Sequence, residues 1–377
     1  MKKLILAVGM MTMALGVGTS LGADLGVEAQ SGGHLDWYDG DSNDEGMQFF
    51  IPIEIEGTYG PYSARLVTAY AYTDVEGLGG EDSSLSDIVD TKVNFTYDIP
   101  SGKLPLDILL GLDFNLPTGY TDFDEGDPIL SLDPDLVSMT ILGEGFNVNP
   151  LVTLAKEWDQ WAAGIGLGYV FRGEYDFSSD IQDYDPGDIF NMAGELAYEC
   201  SSEWRLRLFG DYALYGTDQV DGEDFYETGD YFGIGVGVHH GRNTWDAGLT
   251  LQAIFRDDSK FYEGADPQVG RDKANCGDEW IASLSGRYFW NDTTTLKSVL
   301  EYLWIDENDY ASDSPFYNGE RKKISLGFGT AKIFGEDFEG GFNIKAFYMD
   351  DDRNWRHPEE DRDYKGFSVD LTLTRRF

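Results

Sequence analysis

Apolar and polar residues alternate along most of this chain with a period of two. In "WAAGIGLGYVFRG", Trp161, Ala163, Ile165, Leu167, Tyr169 and Phe171 share one face, while Gly164, Gly166, Gly168 and Arg172 share the other. In "EWRLRLFGDYALY", Trp204, Leu206, Leu208, Tyr212 and Leu214 oppose Arg205, Arg207, Asp211 and Tyr215. A two-residue period belongs to strands with one apolar face, not to helices. Sixteen such stretches begin near residues 25, 47, 62, 88, 106, 148, 160, 189, 203, 231, 244, 279, 294, 322, 340 and 366.

The connections between these strands alternate in length. Short turns fall at Gly60-Pro61, Pro100–Pro105, Asp159-Gln160, Ser201-Ser202, Gly241–Asn243, Asn291–Thr293 and Gly335–Asp337. Longer acidic loops fall at about 40–46, 75–87, 117–147, 174–188, 216–230, 257–278, 306–321 and 350–364. An even strand count with tight turns at one end and long loops at the other predicts an antiparallel up-and-down transmembrane β-barrel of about 16 strands. The ending "FSVDLTLTRRF" fits this reading. The alternation runs to Phe377, as it must if the last strand pairs with the first and leaves no open edge toward lipid.

Tryptophan supplies an independent check. Trp158, Trp161, Trp204, Trp245 and Trp290 sit beside short turns, and Trp37, Trp280 and Trp304 sit near the loop ends, all on the apolar face. Two aromatic girdles at the membrane interfaces are expected from that placement, with Phe377 in the inner one. A β-sandwich would instead bury its tryptophans between sheets.

Composition then stops being puzzling. The chain has 41% hydrophobic residues, yet it carries 22 Tyr, 23 Phe, 9 Trp and 46 Gly, and its net charge is −42. Its mean hydropathy of −0.35 alone suggests a soluble acidic protein. Alternating lipid-facing and water-facing positions give the same average. A net charge of that sign repels a nucleic-acid backbone. At the N-terminus, Lys2 and Lys3 precede the apolar run "LILAVGMMTMALGVG" and the small-residue stretch Thr19–Ala23. That is the layout of a secretory signal peptide cleaved after residue 22, followed by one barrel domain over 23–377. Cys200 and Cys276 fall at opposite barrel ends and are expected to be free thiols.

By parity, both signs of charge face inward. Arg65, Lys92, Arg172, Arg205, Arg207, Arg256, Arg287, Lys297 and Lys345 are candidate pore-lining cations, with Asp113, Glu195, Asp211 and Glu301 among the anions. Charges without aqueous neighbours are costly at membrane depth, so a water-filled lumen is implied. The 117–147 loop carries seven acidic and no basic residues. Acidic outer loops would concentrate cations at low salt, or bind divalent cations between outer surfaces. No calcium-loop spacing is present in "DGDSNDEG" or "DFDEGDP". The inward glycines 164, 166, 168, 233, 235 and 237 leave room for a ligand or permit curvature.

The layout resembles the general porins in strand number and size. That resemblance implies a third loop folded into the lumen, where Asp122, Asp124, Glu125 and Asp127 would face wall arginines, and it implies a homotrimer. The alternating C-terminal strand with its final Phe resembles the signature read by the barrel-assembly machinery, which implies insertion among outer-membrane lipids by that route. A second resemblance rests on "FNLPTGYTDFD", Gly143-Glu144-Gly145, "GLGYVFRGEYDF" and "YDPGD" at 184–188. Over roughly 106–215 these are similar to outer-membrane transporters associated with phenol meta-cleavage pathways, and they imply uptake of small aromatic or hydrophobic compounds.

Catalysis finds no support. The four histidines are His34, His239, His240 and His357, and no Gly-x-Ser-x-Gly elbow, Ser–His–acid arrangement or metal-ligand spacing involves them. No cofactor is called for. The expectation is a bacterial outer-membrane channel for small hydrophilic solutes, biased toward cations. The alternative is a substrate-specific transporter for small aromatic or hydrophobic compounds, and a third class is a structural barrel or a sheath for a partner protein.

Overall fold

The computed structural model describes residues 25–41, 44–76, 83–99, 105–121, 123–124, 132–179, 181–262, 277–314, 317–354, 357 and 360–377. Sixteen antiparallel strands form one closed barrel. They are β1 (Leu25–Gly40), β2 (Glu45–Tyr59), β3 (Tyr62–Glu76), β4 (Ser83–Ile88 continued by Thr91–Ile99), β5 (Asp107–Leu116), β6 (Asn147–Trp158), β7 (Trp161–Arg172) and β8 (Ile189–Glu199). They continue as β9 (Trp204–Tyr215), β10 (Tyr231–Arg242), β11 (Trp245–Arg256), β12 (Glu279–Asn291), β13 (Thr294–Ile305), β14 (Arg321–Phe334), β15 (Phe338–Asp351) and β16 (Arg362–Arg376). Each strand pairs with its sequence neighbours, and β1 pairs with β16 from Glu28↔Arg376 to Gly40↔Tyr364. The Phe377 amide donates to the Val27 carbonyl (2.8 Å) at the end of that seam. No edge remains open, which is the condition for strands to cross lipid.

The outward parity is apolar and exposed: Ile53, Leu208, Val236, Leu251, Leu326 and Leu373 all show their side chains to the surroundings. A belt of this kind is unstable in water and fits hydrocarbon, so the barrel resides in the bacterial outer membrane. Among the described residues no helix is long and apolar enough to cross a membrane; the strands make the crossing.

Six of the seven short turns lie where the pattern places them, and the one at Pro100–Pro105 falls largely outside the described residues. Two of the eight loops are shorter than expected, because strand extends into 75–87 as Ser83–Ile88 and β1 and β2 run to Gly40 and Glu45. The break at Val89 and Asp90 changes parity. Leu85 packs inward before it, and Lys92 and Asn94 face inward after it. The pattern marks the fourth strand only from 88 because the alternation restarts there.

Above the barrel, Tyr184–Asp185, Thr217–Val220, Glu223–Glu227 and Lys260–Phe261 form a separate four-stranded sheet that ties three outer loops together. Glu227 anchors it, accepting from Lys260 Nζ (2.6 Å), Tyr262 Oη (3.1 Å) and Thr217 Oγ1 (3.2 Å). Burial raises the Glu227 carboxyl, but the hydrogen bonds from Lys260 and Tyr262 and the Lys260 charge outweigh it, so the net shift is downward. A depressed carboxylate stabilises the fold above its ordinary range and loses that contribution as pH falls through the lowered value. Hydrogen-exchange protection of 217–227 should therefore drop a few-fold on acidification, and Glu227→Gln should show the same loss already at neutral pH.

Candidate functional site

The lumen has two unlike halves. Toward the short turns it holds a cavity of ≈ 1250 Å³ lined by Glu195, Glu199, Arg205, Arg207, His239 and Arg287, among others. The inward charges there are cross-strand pairs. Arg205 meets Glu199 (2.7 Å), Arg207 meets Glu195 (3.7 Å) and Arg287 meets Asp246 (2.7 Å). Farther round, Lys345 meets Glu301 (3.0 Å) and Arg65 meets Glu54 (2.6 Å). Toward the loops, Arg256 meets Glu279 (2.5 Å) and Lys92 meets Glu144 (3.2 Å). Asp113 accepts from the side chains of Asn94 and Asn149. Lys297 stands opposite Arg287 across the β12–β13 ladder and is exposed.

Toward the loop end, the segment between β5 and β6 enters the barrel and packs against its inner wall. Phe123, Leu132, Leu136, Val137 and Leu142 are buried against inward side chains of β1, β3, β15 and β16, namely Tyr38, Ala71, Val75, Phe347, Met349 and Tyr364. The third loop thus folds inward, as the porin resemblance implies, but it docks through apolar residues. Asp124 is exposed; Asp122, Glu125 and Asp127 lie outside the described residues. On the opposite wall, Ile189, Ala213, Tyr231 and Ile254 form a second inward apolar cluster, with Val170, Tyr215 and Ile281 against it.

Polar anchors fix the inserted segment. Arg321 is buried and donates to both carboxylate oxygens of Asp351 (2.8 and 2.7 Å), to Asp133 (3.1 Å) and to Asp135 (2.6 Å). Gln48 makes a reciprocal pair with Met139: its Nε2 donates to the carbonyl (2.7 Å), and the Met139 amide donates to its Oε1 (2.8 Å). The neck of the segment is held at the break in β4. Asp90 accepts from Asn115 Nδ2 (2.6 Å), the Gly119 amide (2.8 Å) and the Glu144 amide (2.8 Å). The motif glycine Gly119 permits this: a Cβ there would stand 1.9 Å from the Leu142 carbonyl oxygen. The later motif works similarly, with Asp188 accepting from the Arg172 amide (2.9 Å) and Asp218 from the Gly187 amide (2.8 Å). The glycine-rich motifs are therefore where the outer loops are tied to the wall.

Two of the histidines are buried: His34 and His357. His34 also assembles a serine–histidine–acid group that the sequence does not reveal. Ser138 Oγ lies 3.0 Å from its Nε2, and Asp370 meets its Nδ1. Asp36 also meets Nε2, at 2.9 Å. With a carboxylate at each nitrogen the ring is held as a double donor and is not free to act as a base. The Ser138 and Met139 amides donate to Asp36 and Gln48, so they offer no oxyanion site. The group is a latch on the inserted segment.

The inward glycines have a third explanation besides ligand room and curvature: neighbours lie across them. A Cβ on Gly235 would meet the Phe209 ring at 2.2 Å, and one on Gly168 would meet the Asn191 amide at 2.6 Å. The girdle residues sit at strand ends. Trp158 and Trp161 are cross-strand partners, and Trp290 is exposed. His240 lies between Trp204 (4.3 Å) and Trp245 (5.0 Å). At the loop end Trp280 stacks near Trp304 (6.5 Å) and Trp37 near Phe367 (5.5 Å). Cys200 is free and exposed; Cys276 and the signal-peptide residues lie outside the described residues.

A closed 16-stranded barrel with an apolar belt, a polar lumen and an inserted loop has the fold of an outer-membrane channel. The chain belongs to the family described as "Putative MetA-pathway of phenol degradation", whose model matches residues 45–240. That span is wider than the motif-bearing region and includes both necks of the inserted segment. No curated protein matches the chain in sequence. Solved structures similar to it include the CymD monoaromatic hydrocarbon channel (11% identity, 93% of this chain and 88% of that one, TM-score 0.43). An anion-selective porin from Comamonas acidovorans is also similar (12%, 94% and 100%, TM-score 0.45), as is the outer-membrane channel DcaP of Acinetobacter baumannii (10%, 96% and 99%, TM-score 0.45).

Proposed function

We propose that this protein is a selective outer-membrane channel for small aromatic compounds. The observation that carries the reading is the apolar packing of the outer half of the barrel interior, where inward aromatic and aliphatic side chains of the wall meet an inserted apolar segment and a second apolar cluster covers the other wall. A path for hydrated ions needs polar surface throughout, and apolar constrictions dewet. A small aromatic ring gains by contact with such a lining, at roughly 25 cal/mol per Å² of apolar area removed from water. Membership of a family described by phenol degradation supports the same substrate class. The inner cavity, with its paired charges, then serves as the wet exit.

General diffusion of hydrophilic solutes with a cation bias is the second reading, favoured by the charged inner cavity and the acidic loops. The two differ in which solute gains from the protein. Cells whose outer membrane carries it should take up toluene several-fold faster than cells without it, while entry of glycerol changes little.

A further inference from the structure

One row of inward residues crosses four adjacent strands at the level of the inserted segment's neck. Lys92, Asn115, Asn147 and Arg172 are successive cross-strand partners on β4, β5, β6 and β7. The two asparagines are 7% and 6% exposed, and neither side-chain oxygen has a hydrogen-bond partner. The Asn115 amide cannot be turned round, because its Nδ2 donates to Asp90 (2.6 Å) and to the Gly145 carbonyl (2.7 Å). Its oxygen is therefore a fixed acceptor. Lys92 is paired with Glu144. The Arg172 side chain, half-buried, has no ion pair or hydrogen bond among the described residues. Beside it in the ladder runs the apolar row Val170, Ile189 and Tyr215.

We infer that Arg172, Asn147 and Asn115 form a polar anchor that selects aromatic compounds carrying a hydroxyl group. The inference rests on the aromatic-channel reading and adds residues and a chemical distinction to it. Orphaned buried acceptors need a donor, and an unpaired guanidinium needs an acceptor. A hydroxyl is both: its proton goes to an asparagine oxygen and its lone pair accepts from Arg172, while the ring rests on Val170, Ile189 and Tyr215. Other occupants fit less well. A carboxylate would satisfy Arg172 but face the fixed acceptor oxygen of Asn115. A metal cation would satisfy the oxygens but stand between Lys92 and Arg172. An unsubstituted hydrocarbon would leave every polar group unpaired.

The test is calorimetric binding of phenol and of toluene, ligands of similar size, to the purified full-length protein in detergent. Wild type is expected to bind phenol at least about tenfold more tightly, because a site built for a hydroxyl penalises the analogue that lacks it. Asn147→Leu and Arg172→Met should each remove most of that preference and leave toluene affinity within about twofold. Asn115 is left intact because it also holds the loop neck. Equal binding of the two ligands by wild type overturns the anchor and leaves the aromatic reading standing. Binding of neither overturns both. A phenol preference that survives in both folded variants also overturns the anchor, and the wild-type comparison decides even where a variant fails to assemble.

Discussion

Replacing Arg321 with methionine is expected to release the inserted segment and raise single-channel conductance well above the wild-type level. Arg321 is the buried cation that joins Asp133 and Asp135 of the segment to Asp351 of the wall. Methionine keeps much of the volume but removes the one cation that all three carboxylates share, leaving only Lys323 beside Asp135 and His357 beside Asp351. Breaking a buried pair by removing one partner costs about 3–5 kcal/mol, because an uncompensated charge remains. The other attachments are the Gln48–Met139 pair, the Ser138 contacts to His34 and Asp36, the Lys323 contact to the Asp135 carbonyl, and Asp90 at the neck, and none of them neutralises all three carboxylates. The cheapest relief is for residues 132–139 to leave the wall, which opens the lumen. Planar-bilayer recordings read this directly. Unchanged conductance in a folded Arg321→Met barrel would mean that the segment is held elsewhere or does not occlude the path.

Gly32→Val should prevent barrel closure in most molecules. Gly32 lies in the β1–β16 seam opposite Thr372, and a Cβ there would stand 1.8 Å from the Leu371 carbonyl oxygen. Neither backbone can give way without loss of the ladder that seals the sheet, and an unsealed seam exposes backbone polar groups to lipid at several kcal/mol each. The heat-modifiable band of the folded barrel on gel electrophoresis should be nearly lost. A variant that folds in wild-type yield would show that the seam tolerates a local bulge.

Much of this architecture is legible in the sequence, and the reason is physical. A barrel strand has one face in lipid and one in water, so its alternation survives in "RLRLFGDYALY" without knowledge of its partners. The outer half of the lumen is harder to read because both faces of the wall are apolar there. Phe49-Phe50-Ile51, Ala253-Ile254-Phe255 and Phe347-Tyr348-Met349 break the alternation, and such runs signal burial on both sides. The inserted segment carried a similar sign in Leu132, Leu136, Val137, Met139 and Leu142, an apolar content that solvated loops lack. The seven acidic residues of the same loop mask that content. What no local pattern could reveal is pairing across long separations. Arg321 lies 188 residues from Asp133, and His34 lies 104 from Ser138.

These apolar surfaces also change the functional reading. A lumen read from its charges alone points to ions and hydrophilic solutes. Those charges are largely paired with their cross-strand neighbours, and the loop-side half of the barrel interior is packed with aromatic and aliphatic groups. Pairing lowers the field that a passing ion would feel, while the apolar lining raises the cost of its dehydration. Both effects favour an uncharged ring over an ion.

The most direct measurement compares initial uptake rates of radiolabelled toluene and glycerol in otherwise identical bacterial cells with and without the protein in their outer membrane. The account predicts that toluene uptake rises several-fold and glycerol uptake hardly changes. A glycerol gain equal to or larger than the toluene gain would contradict it and return the protein to the general diffusion pores.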